Sequence, residues 1–173
     1  MVGQVASAER LIVKPRAGTT GASGVTVVNP GASQAQEILA AVDALRQARH
    51  DVILQRFWGN VTMAGREMVL VSLIAGESIQ SDYVMVAPTG EPIVSTSRSA
   101  VAMDNAEVFE QLIDHEGRPV VISTERMQEL DQEAIQRAQA INAGVPSNQQ
   151  LGLFSIERRF WMDEAGQVQQ TIL

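Results

Sequence analysis

Seven residues, Met68-Val69-Leu70-Val71-Ser72-Leu73-Ile74, make a near-continuous apolar run with Glu67 before it and Ala75-Gly76 after it. A run of this length that does not alternate has no polar face to offer water, so it reads as a central strand with neighbours on both sides. The residues that follow supply such neighbours. Ala75-Gly76-Glu77-Ser78 reads as a tight turn into Ile79–Val86, whose side chains roughly alternate. Pro88-Thr89-Gly90-Glu91 is a second turn, leading to a third strand over Pro92–Thr96. Residues 68–96 are therefore expected to form an antiparallel meander.

The flanking sequence adds helices and further strands. Leu11–Lys14 reads as a short strand, followed by a small-residue loop from Pro15 to Gly24 and a β-branched strand over Val25–Val28. Ser33 is placed to cap a helix, with Gln36 three residues on to complete a capping box, and Ile38, Leu39, Val42 and Leu45 give one apolar stripe. That helix ends near Arg49-His50 and gives way to a strand over Asp51–Phe57. Beyond the meander, a helix is predicted over Asp104–Ile113, a turn at His115–Arg118 and a strand over Val120–Ile122. Thr124 is the expected cap of the longest helix, which Gly144, in a left-handed position, and Pro146 stop. Leu153–Phe160 and Val168–Leu173 close the chain as strands around Asp163-Glu164-Ala165-Gly166. The fold class expected is α+β: a small β-β-α-β subdomain over 1–60, then a mainly antiparallel sheet with two helices over 61–173.

Composition removes several classes of function. With 173 residues, 45% apolar and 19% charged, the chain has the balance of a globular domain. A net charge of −7 opposes a phosphate backbone, so generic nucleic-acid binding is not expected. The absence of cysteine excludes disulfides, thiolate catalysis and zinc–thiolate sites. No stretch approaches the roughly 20 apolar residues that span a bilayer, and Met1–Arg10 lacks a signal-peptide core. A cytoplasmic location, without membrane partners, is the expectation. His50 and His115 stand in no metal-ligand spacing, and no Gly-x-Ser-x-Gly elbow surrounds the serines near Ser95, Ser97 and Ser99.

The basic residues are lopsided. Twelve are arginine and one is lysine, Lys14, which lies inside the apolar run Leu11-Ile12-Val13-Lys14. A lysine at the end of a strand, followed by a glycine-rich loop, suits a polyphosphate. Its ammonium is a point charge, and loop N–H groups without a Cβ beside them can approach phosphate oxygens. The loop is not a Walker A motif, because no Gly-Lys-Ser/Thr opens a helix. It is not a dinucleotide fingerprint either, since a strand follows the glycines.

Taken in order, Lys14-Pro15, Gly21-Ala22-Ser23, the Gly-Val-Thr-Val-Val strand, the capped helix and Gln55-Arg56-Phe57 resemble the nucleotide-clamping subdomain of ATP-grasp enzymes. Within that superfamily the chain is most similar to the glutathione synthetase and RimK-like carboxylate–amine ligases. The resemblance implies ATP and Mg²⁺ as cofactors, with Lys14 on the α- and β-phosphates. It implies that the loop with Gly18, Gly21, Ser23 and Gly24 closes over the β- and γ-phosphates. Gln55, Arg56, Phe57 and Trp58 would form the hinge whose backbone reads the adenine edge, although many members carry a carboxylate where Gln55 stands.

A looser likeness covers 65–173. Gly65-Arg66-Glu67 is similar to the family's turn in which a polar side chain, here Glu67, meets the ribose or metal. Arg98 takes the place of the arginine that contacts the transferring phosphoryl group, and Glu157 that of a metal-ligating carboxylate. Arg66, Arg98 and Glu157 are then expected on one side of the second sheet. Glu157 also lies beside Arg158 and Arg159, as one of a solvated charge run would. The family's preceding domain and its final Glu-x-Asn metal turn are not matched, which implies a trimmed or degenerate ligase, or one completed by a partner domain or a second copy. The alternative is a non-enzymatic structural or assembly protein with an α+β core, using apolar segments around Met63, Met68, Met85 and Met103 as an interface.

Overall fold

The computed structural model describes residues 10–16, 24–29, 31–56, 61–147 and 150–172. It is a mixed α+β chain with three α-helices among the described residues and sheets paired antiparallel throughout. Two units are delimited, Met1–Phe57 and Trp58–Leu173. Among the described residues no helix is long and apolar enough to cross a membrane.

In the first unit, β1 (Leu11–Pro15) lies between β2 (Thr26–Val28) and β3 (Val52–Arg56), and helix α1 (Gln34–Gln47) connects β2 to β3. Strand alternation sends Leu11, Val13 and Pro15 to one buried face and leaves Ile12 and Lys14 half-buried on the other. Ile38, Ala41, Val42 and Leu45 of α1 pack on Val13, Val28 and Val52, so the helix covers the first of these faces. Gly24, which leads into β2, has φ +73°, and a Cβ there would lie 3.1 Å from a Leu45 methyl. Both the backbone and the space demand glycine at that point. The capping box does not form. Ser33 has helical dihedrals, and its hydroxyl donates to the Glu37 carboxylate instead of accepting from a backbone N–H.

The second unit is built on a five-stranded sheet of order β10-β9-β5-β6-β7. Its strands are β5 (Met68–Ala75), β6 (Ser78–Val86), β7 (Val101–Met103), β9 (Phe154–Met162) and β10 (Val168–Ile172). The apolar run is the central strand, with Met68, Val69, Leu70, Val71 and Ile74 all buried. Helix α3 (Thr124–Ala143) lays Leu130, Ala134, Ile135 and Ala138 against the face that carries Leu70, Ile74, Ile156 and Phe160. Each such side chain contributes about 1.5–3 kcal/mol by leaving water.

Several expected elements take another form. Pro92–Thr96 is not a strand. The Glu91 carboxylate accepts from the Ile93 N–H and from Arg98, folding this segment into a loop that ends in a 3₁₀ turn, Thr96–Arg98. The place beside β6 goes to β7. The helix predicted over 104–113 is only α2 (Asn105–Phe109), because Leu112 and Ile113 leave it as β8 to pair with β4 (Thr62–Met63). There a backbone ladder and the burial of Leu112 outweigh local helical spacing. Val120–Ile122 is not a strand, and beside it lies a single bridge between Ile113 and Pro119. Ser123, not Thr124, caps α3 by accepting from the Arg126 N–H. Gly144 has φ −77° and is not left-handed. Its N–H still reaches back to the Ala140 and Ile141 carbonyls, and Pro146 follows.

Candidate functional site

The first unit has one sheet face, formed by three strands, that α1 does not cover. Alternation and register place Ile12 and Lys14 of β1, Ile53 and Gln55 of β3 and Val27 of β2 on the side away from α1. Lys14 pairs with Ile53, and Gln55 pairs with Ile12, so Lys14 and Gln55 are diagonal neighbours on a mostly apolar floor. Both are half-buried. The arrangement sets one ammonium and one amide over aliphatic side chains, which is suited to a ligand with an anionic end and a flat apolar body. Arg56 falls on the other face, opposite Leu11, so on this face it offers only backbone groups. Gly24 borders the strand that follows the loop. Gly18, Gly21, Ser23, Phe57 and Trp58 lie outside the described residues.

In the second unit Glu157 lies on the sheet face opposite α3. Glu157 pairs with Val71 and is exposed; Arg159, two residues along β9, shares its face. Arg159 Nη1 meets Glu67 Oε2 at 3.4 Å, with both side chains about nine-tenths buried. Such a pair depends on both partners, because removing one strands a charge in a medium that solvates it poorly. The structure thus brings Glu67, Glu157 and Arg159 to one stretch of sheet. Arg159 was not among the expected site residues, although the period of two along β9 carries that signal from Glu157. The run Glu157-Arg158-Arg159 is not solvated as a whole: Glu157 is exposed, Arg159 is nearly buried and Arg158 is fully buried on the α3 side.

Arg66 donates from Nε to the Ala87 carbonyl at 2.8 Å, which ties the turn before β5 to the end of β6. Arg98 donates to Glu91 at 3.2 Å and so helps to organise the 88–98 loop. The turn at 163–166 is held by Asp163. Its carboxylate accepts from the N–H groups of Gln167 and Ala165 and from the Gln169 amide at 2.7 Å. The Gln167 N–H and then the Gln169 amide hold its pKa below the ordinary carboxylate value, against the opposing effect of burial.

Among the described residues no group of three histidine, cysteine or carboxylate side chains is close enough to hold a metal ion by itself. Magnesium bound with a nucleotide needs less, one or two carboxylates beside the phosphates. Glu157 fits that lesser role, whereas Glu67 is already engaged by Arg159. Comparison with protein-family models, with curated proteins and with solved structures returns no match.

Proposed function

We propose that this chain is an ATP-binding module of the ATP-grasp kind, in which the first unit grips the nucleotide. The observation that carries the reading is the half-buried face of the first sheet away from α1, where Lys14 and Gln55 sit diagonally on Ile12, Val27 and Ile53. Lys14 neutralises phosphate charge, the aliphatic floor takes the base, and the backbone of Gln55 and Arg56 offers donors and acceptors to its edge. The glycine-rich segment between β1 and β2 contributes N–H groups to the phosphates. In the second unit Glu157, exposed on its sheet, is the carboxylate that would ligate Mg²⁺. Glu67 is held by Arg159 and is not assigned to the metal, and Arg98, paired with Glu91, is the charge assigned to a phosphoryl group. Activity as a carboxylate–amine ligase would need further magnesium ligands and an acceptor site, from another domain or another chain.

Calorimetric titration of ATP with Mg²⁺ tests the role of Lys14. Lys14→Ala should weaken binding about tenfold, close to 1.4 kcal/mol. Lys14→Arg should restore it only in part, because a guanidinium needs a fork of acceptors where an ammonium needs a point contact. Arg46→Ala, which removes an exposed cation from α1 in the same unit, should leave binding unchanged. Equal loss in the Lys14 and Arg46 variants would reduce the effect to net charge and defeat the assignment.

A further inference from the structure

Three buried polar atoms that lack a hydrogen-bond partner fall on one patch of the second sheet: Ser72 Oγ, Asp82 Oδ1 and Arg158 Nε. Register brings them together. Ser72 on β5 pairs with Asp82 on β6 and with Ile156 on β9. Arg158, two residues beyond Ile156, shares its face and is therefore diagonal to Ser72. Ser72 and Arg158 are fully buried, and Asp82 is partly so.

The guanidinium of Arg158 lies over the Phe160 ring, 5.8 Å from its centroid, and against α3. Nη1 donates to Asp131 Oδ1 at 2.6 Å and Nη2 lies 3.5 Å from Met127 Sδ, both on α3. Asp131 also lines a hollow of about 220 Å³ with Ser78 and Ile79 of β6. Of Met68, Leu70, Ser72 and Ile74, which line that face of β5, Ser72 is the smallest and the one polar residue.

Buried polar groups are satisfied in folded proteins, and three neighbouring orphans on one sheet face call for a shared partner. The donor set defines its chemistry. Arg158 Nε–H needs an acceptor, Asp82 Oδ1 needs a donor, and the Ser72 hydroxyl accepts either role. A metal cation would meet the guanidinium, and an anion would meet Asp82. A small neutral molecule that donates and accepts at once satisfies all three.

We propose that Ser72, Asp82 and Arg158 hold one internal water molecule, which joins strands β6, β5 and β9 beneath helix α3. Three bonds is the usual complement for a buried water. The site holds Nε in place while Nη1 engages Asp131, so the water and the ion pair together fix α3 on the sheet.

Magnetic relaxation dispersion of ¹⁷O water counts long-lived internal waters in the intact chain. The wild type should show one more than Ser72→Val, in which a methyl replaces the hydroxyl and fills its space. Asp82→Leu, at the more accessible end, should lose the same water and serves if Ser72→Val does not fold. Ser72→Ala should lower the urea midpoint, because it removes a satisfied hydroxyl. Equal water counts in wild type and the folded variant would overturn the proposal. So would a raised midpoint in Ser72→Ala, the signature of an unsatisfied hydroxyl removed, or a direct Ser72–Asp82 bond in a high-resolution crystal structure.

Discussion

Replacing Asp131 by alanine should cost far more stability than replacing Arg158 by methionine, although both delete the same ion pair. The asymmetry follows from burial. Arg158 has no exposed side-chain surface, whereas Asp131 retains about 29%. In Asp131→Ala the guanidinium stays buried with its charge uncompensated, which costs about 3–5 kcal/mol. Intrinsic propensity works the other way, since alanine is the better helix former by roughly half a kcal/mol, so the loss must come from Arg158. In Arg158→Met the half-open carboxylate is rehydrated, and an apolar chain of similar reach fills the space beside Met127 and Phe160. That change also takes one partner from the water shared with Ser72 and Asp82, so it should cost about 1–2 kcal/mol, and the double variant should resemble it. Urea unfolding followed by circular dichroism measures all three, and the Asp131→Ala midpoint should drop by far the most. Equal losses in the two single variants, or a larger loss for Arg158→Met, would refute the reasoning.

Other perturbations test separate parts of the fold. Ala64 has φ +48° beside Gly65 at φ +81°, in a two-residue turn whose ends are Met63 and Arg66. Ala64→Asn suits this geometry and should raise stability by about 0.5–1 kcal/mol in urea unfolding. Leu130→Ala, at a fully buried position of the main core, should cost about 2–5 kcal/mol. Leu39→Ala, on the exposed side of α1, should stay within about 0.5 kcal/mol by the same assay. Acid should weaken the second unit through Asp114 and Asp163. Burial pushes the Asp114 carboxyl up, but the N–H groups of Arg118 and Glu116 and the Arg118 guanidinium outweigh it, and its pKa is lowered, as is that of Asp163. With depressed folded-state values, the unfolded chain takes up protons first as pH falls. Their stabilisation is therefore complete above about pH 4 and is lost as pH drops through the folded-state values. Thermal melts between pH 7 and pH 2 should show Asp114→Asn and Asp163→Asn losing less on acidification than the wild type.

What the sequence revealed follows the physics of each signal. The run at 68–74 could only be a buried strand, and the periodic stripes of α1 and α3 could only be helices against a core, so these elements were legible. Elements fixed by distant partners were not. Leu112-Ile113 and Val101–Met103 are strands because Thr62-Met63 and Val84–Val86 are there to pair with, and nothing local announces that. The loop at 88–98 depends on one carboxylate, Glu91, meeting Ile93 and Arg98. For the candidate site, setting Lys14 and Gln55 diagonally on one face needs the register of β1 and β3, which the two segments do not encode separately. Arg158 was misread because adjacent residues on a strand face opposite ways. A charge run written as one patch is split by the sheet into an exposed carboxylate, a buried guanidinium and a nearly buried ion pair.

The central claim is that the chain binds ATP, and titration of the wild type measures it most directly. ATP with Mg²⁺ should give a saturable heat with one site per chain, and adenosine without phosphates should bind far more weakly, because Lys14 and the loop act on phosphate charge. No saturable heat with ATP, or equal binding of adenosine and ATP, would contradict the account.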